Sequence, residues 1–150
     1  MHWLHVLAGA VWAGAYIFHI AVIWPTLLRH PPAQAQAWFA ATAPRVGALM
    51  AVSGSLTLLL GLLRGTWLGP VRSFDVLFTT AYGRTFLAAT LLTLFAMVYG
   101  KRAGQGMPQR LWEGDRLRPG AAAAVRRSSA ISLLALAAIF ACMVLMRFGL

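Results

Sequence analysis

Four stretches of this chain, roughly 3 to 28, 44 to 63, 83 to 100 and 128 to 148, each carry at most one charged side chain. A helix needs about 20 mostly apolar residues to cross the hydrocarbon of a bilayer, and each stretch meets that length. Little chain is left for a water-facing core, because 150 residues are nearly used up by the four runs and the turns between them. The composition agrees: 60% of the residues are hydrophobic and 11% charged, where a soluble domain carries about a quarter charged residues. The expected fold is all-α, one four-span integral membrane bundle covering residues 1–150. The first run lacks a basic leading segment and is too long for a cleaved signal, so it is expected to remain in the mature chain.

The net charge of +10 suggests nucleic acid at first sight, but its distribution follows the spans. Arg29, Arg45, Lys101, Arg102, Arg110, Arg116, Arg118, Arg126 and Arg127 flank the loops after spans one and three. Arg64, Arg72, Arg84 and Arg147 lie at the other ends. The positive-inside rule then puts the first and third loops in the cytoplasm and both termini on the external side. The excess charge reads as a topology signal and a contact for anionic lipid, and no nucleic-acid partner is expected. Cys142 is the only cysteine, so no disulfide within the chain is available.

The connecting segments carry their own signals. Span one should run until Pro25 or the Arg29-His30-Pro31-Pro32 break. The Ala-rich segment 33–44 with Trp38 and Phe39 fits a short interfacial helix, and Pro44 fits the first turn of span two. Trp67, Phe74, Phe78 and Tyr82 mark an interfacial external loop. The third loop, 102–120, is punctuated by glycine and proline and reads as mobile.

Three of the four histidines, His2, His5 and His19, fall in the apolar opening stretch HWLHVLAGAVWAGAYIFH. At 100° per residue His5, Trp12, Tyr16 and His19 lie within about 60° of one another, with Gly9 beside them. His5 and His19 are fourteen positions apart, about 21 Å along a helix axis. Each imidazole must recover the cost of burial through a bond. Bonding a neighbouring helix is the ordinary solution, and the expected one for His2 near the water and for His30 among its prolines. For His5 and His19 an intramembrane ligand role is expected.

Neutral imidazole binds haem iron, copper and zinc. Haem b suits the surroundings, since Gly9 and the small face of span two, Gly47, Gly54 and Gly61 at seven-residue intervals, leave room for a flat macrocycle or for close helix packing. Arg84, Arg72 and Arg64 stand where propionates near His5 would need cations. Spans two to four contain no histidine. The second axial ligand is therefore Met50, Met97 or Met143, an open position, or a histidine from a second protomer paired along span one. A copper site built from His2, His5, Met143 and Met146, with Cys142 nearby, is the alternative, because soft sulfur ligands select Cu(I). Asp75, Glu113 and Asp115 are the only acids and all lie in loops, so carboxylate acid–base chemistry and carboxylate proton wires are not expected.

The spacing of His5, Trp12 and Gly14, in the pattern LHxxxxxxWxG, resembles the first span of the copper-resistance protein D family and of the related HemJ-type protoporphyrinogen oxidases. PRVGALMAVSGSLTLLLGLL resembles their second span, YGRTFLAATLLTLFAMVYGKR their third, and a last span ending in a basic residue and Phe148 completes the likeness. The resemblance implies haem b at His5, a bacterial cytoplasmic-membrane location, a redox partner or quinone, and oxidation of a porphyrinogen as the nearest enzymatic activity. Arg84 occupies the place of that family's usual lysine, and the histidine beside that lysine is missing. Arginine does not give up its proton, so propionate or substrate-carboxylate binding is the role that survives there.

Overall fold

The computed structural model describes residues 2–149. Four helical segments are long and apolar enough to cross a membrane: His2–Leu27, Pro32–Gly65, Ala81–Leu111 and Ala121–Arg147. In chain order the elements are α1 (His2–Phe18), a π-helical turn (His19–Ile23), α2 (Trp24–Leu27), α3 (Pro32–Gly65), α4 (Phe74–Thr79), α5 (Ala81–Leu111), a two-residue hairpin β1–β2 (Trp112–Glu113 with Arg116–Leu117) and α6 (Ala121–Arg147). The expected helical architecture with four long apolar helices is present. The most extensive packing joins α5 to α6 and α1 to α3.

Much of the surface is apolar, and the interior admits several small hydroxyl residues beside its aromatic and aliphatic core. Leu56, Leu59, Leu91, Leu134, Phe140 and Val144 are exposed, whereas Ser53, Thr57, Thr93 and Ser128 are buried. An exposed apolar surface of this extent suits helices solvated by lipid, where small residues let helices pack closely. Ser53, Thr57 and Thr93 each donate to the carbonyl four residues back, at 2.7 to 2.8 Å, so their hydroxyls cost nothing by being inside.

The π turn has a local cause. Pro25 has no amide proton, and in an α-helix its ring would press on the carbonyl four residues earlier. Widening the preceding turn relieves that contact, and the Trp24 amide donates to the His19 carbonyl five residues back. The extra residue also resets the helix face. Eight residues from Tyr16 to Trp24 would overshoot two turns by about 80°, and a turn that absorbs one residue takes back about 100°. Tyr16 and Trp24 consequently both point inward, each 8% exposed.

Two expectations about the loops are corrected. Residues 33–44 are no separate interfacial helix; α3 starts at Pro32 and continues through Pro44. Neighbouring groups inside a bundle compensate for a single missing amide. The third loop is no mobile tether either. Helix α5 continues through Gly104, Gly106 and Pro108 to Leu111, and the hairpin turns on Gly114 at φ +57°. Burial explains it: Met107, Leu111 and Trp112 close on Trp24, Leu27, Ala35, Ala121 and Val125. Several large side chains at about 1.5–3 kcal/mol each outweigh about 1 kcal/mol per glycine and about 3 for proline. At the opposite end the 66–80 connection folds α4, whose Ser73 cap accepts from the Val76 amide at 3.2 Å.

Candidate functional site

Helices α1 and α3 run antiparallel and meet through a seven-residue repeat on both. The His5 ring sits over Gly61, where a Cβ would come within 3.0 Å of its Cε1. Trp12 sits over Gly54, where a Cβ would lie 2.9 Å from Nε1. The next pair in that series is His19 with Gly47, and there nothing lies within 4 Å of the Cβ position. The first two rings are seated in glycine notches and the third notch is open.

Beside that open notch lies a cavity of about 790 Å³ lined by all four spans. Its walls include Trp12, Tyr16 and His19 from span one, Gly47 and Met50 from α3, Met97 and Lys101 from α5, and Ser128 and Ser132 from α6. The size falls within the range of small-molecule sites, about 300–1,000 Å³. Ala40, Gly47 and Ala51 on one lip and Val98, Lys101 and Gln105 on the other are exposed lining residues, so the mouth lies between α3 and α5.

Tyr16 fixes span one to α5. Its hydroxyl donates to the Ala96 carbonyl at 2.7 Å, and it fits because residue 100 is glycine: a Cβ there would collide with the hydroxyl. His19 lies one turn further along. Its Nδ1 is 3.3 Å from the Ala15 carbonyl, and its ring meets Trp24 edge-on with centroids 6.2 Å apart. His5 Nδ1 is 2.9 Å from the Thr57 carbonyl. A carbonyl only accepts, so Nδ1 carries the proton in both rings and Nε2 keeps its lone pair, the tautomer a metal ligand needs. His30 is exposed and donates to the Thr26 carbonyl at 2.9 Å, and His2 is exposed beside Trp3.

The single face read from the sequence is therefore divided. Trp12, Tyr16 and His19 line one cavity, whereas His5 is held apart in the α1–α3 seam and does not line it. A Cβ at Gly9 would lie 3.6 Å from the Thr57 methyl group, an ordinary van der Waals contact between packed helices. Arg84 donates to the Phe78 and Thr79 carbonyls and Arg72 to that of Gly69, so both tie down the 66–80 segment, away from the cavity lining. Met50 and Met97 line the cavity, while Met143 packs against the Trp12–Tyr16 cluster without reaching it. For copper, no group of three or more His, Cys, Asp or Glu side chains converges among the described residues.

The cavity also holds groups that reasoning from the sequence passed over: Lys101, Gln105, Ser128, Ser129 and Ser132. A signal was there, since Lys101 and Gln105, like Ser128 and Ser132, are four residues apart and share a helix face. Compared with family models, curated proteins and solved structures, the chain matches none.

Proposed function

We propose that this chain is a membrane protein that binds haem b and serves electron transfer or redox chemistry, with His19 as the axial nitrogen in the four-span cavity. The observation that carries this reading is the shared cavity: His19, whose Nδ1 is taken by the Ala15 carbonyl, lines it together with Gly47, beside which a Cβ would meet nothing within 4 Å, and with Met50 and Met97. Histidine with methionine is a known axial pair and raises the reduction potential. Trp12 and Tyr16 would flank the macrocycle, and bound haem would supply a one-electron couple inside the membrane. The nearest enzymatic form is porphyrinogen oxidation, with a quinone or another carrier as electron acceptor. The proposed setting is the bacterial cytoplasmic membrane with both termini outside, as the basic loops suggest. Pairing of two protomers along span one remains compatible with it, because Ala10 and Gly14 face outward.

His5 favours a second reading. Its bare Nε2, three residues from His2 at the same end of α1, fits a copper-handling station with methionine or a partner protomer completing the set. The purified protein separates the two. A Soret band that shifts on dithionite reduction, lost in His19→Ala and retained in His5→Ala and His30→Ala, is the expected result. Loss in His5→Ala alone would move the haem to the α1–α3 seam. A colourless protein holding stoichiometric copper would replace the haem reading.

A further inference from the structure

We propose that Lys101, Gln105, Ser128, Ser129 and Ser132 form a carboxylate-anchoring subsite, so that the cavity takes a tetrapyrrole dicarboxylate with its acid groups at the α5–α6 wall. This rests on the haem reading and specifies how the ligand is held.

The α5–α6 wall of the cavity differs from the other packed surfaces in the polar groups it presents. Elsewhere in the spans, Ser53, Thr57, Thr90 and Thr93 turn their hydroxyls back onto carbonyls of their own helix. Ser128, Ser129 and Ser132 make no such back-bond, and all three line the cavity, where their hydroxyls are free to meet a guest. Lys101 is equally unpaired: Glu113 and Arg118, 3.9 Å apart, form the only ion pair among the described residues. The whole chain has three acids, Asp75 in α4, Glu113 in β1 and Asp115 in the hairpin turn, and none of them is on the four long helices or lines the cavity. An ammonium beside free hydroxyls and a carboxamide is a donor-rich set, and its complement is an anion with several acceptor oxygens.

The position is suitable as well. Lys101 follows Gly100, the residue against which Tyr16 is seated, and His19 is three residues beyond Tyr16, about 4.5 Å along the axis. Ring-binding and acid-binding groups therefore lie at neighbouring depths on different helices of the same cavity. The rest of the lining is largely apolar, matching a flat hydrophobic body with acid groups on one edge. Arg72 and Arg84, which the sequence suggested for this task, bond loop carbonyls instead.

The test compares haem b with its dimethyl ester, which keeps the iron and macrocycle but lacks the carboxylates, by Soret titration of the full-length protein in detergent. Wild type is expected to bind haem b about tenfold or more tightly than the ester, the worth of one charge-assisted hydrogen bond. Lys101→Gln should remove that preference, Lys101→Arg should keep it, and Arg84→Gln should leave it unchanged. Equal binding of acid and ester by wild type, or a preference that survives in Lys101→Gln, would overturn the subsite while the cavity reading stands; a lipid phosphate on Lys101 gives this outcome. Failure of both compounds to bind would remove the haem reading and this subsite together.

Discussion

At the scale of single residues, the sharpest constraint is the meeting of Tyr16 with Gly100. The hydroxyl reaches the Ala96 carbonyl because no Cβ occupies its path. Gly100→Ala is expected to destabilise the protein by about 1–3 kcal/mol, the usual cost of overpacking. In a Tyr16→Phe background, which removes the colliding oxygen, the same change should cost at least about 1 kcal/mol less, and a double-mutant cycle of thermal unfolding in detergent measures that coupling. The histidines teach a related lesson. That His5 and His19 share a face of one helix was legible in their spacing. That one is seated and the other free was not, since it depends on how far α3 stands from α1 at each level.

At the scale of elements, the antiparallel series His5–Gly61, Trp12–Gly54 and His19–Gly47 makes three chemically similar substitutions differ in outcome. Gly54→Leu and Gly61→Leu drive a side chain into a ring and should cost about 1–3 kcal/mol or more. Gly47→Leu meets open space. It is expected to leave the melting temperature close to wild type while abolishing the haem Soret band, and differential scanning fluorimetry beside absorbance checks both halves. Glycines at seven-residue spacing on α3 announced a close approach, but not whether a helix or a ligand makes it; both occur, at different glycines. The ends of α3 and α5 escaped the sequence reading for another reason. Hydropathy marks where lipid is, and α3 with 34 residues is about 51 Å long, well beyond the roughly 30 Å of hydrocarbon. Its surplus is held by the Met107–Leu111–Trp112 cluster, a tertiary contact that no local propensity encodes.

For the whole molecule, the charge balance has a consequence of its own. Thirteen basic residues face three acids, and the one ion pair among the described residues is exposed on both sides, so self-repulsion is not relieved from within. Anionic lipid is expected to raise the melting temperature by a few degrees over zwitterionic lipid, and about 0.5 M salt should erase most of the difference by screening; thermal melts in the two kinds of nanodisc provide the check. The four long apolar helices could be read directly, because bilayer thickness sets the length of apolar run that a spanning helix needs. The cavity could not, since it arises where four helices fail to close. Its surroundings bear on how anything gets in. The buried plug of Leu27, Met107 and Leu111 lies on the side of the first and third loops, while the gap between α3 and α5 opens sideways. With the four helices in a bilayer that gap would face lipid, so a guest of the proposed site is expected to arrive by diffusion within the membrane, with a rate of uptake that follows its partition coefficient into lipid instead of its aqueous concentration.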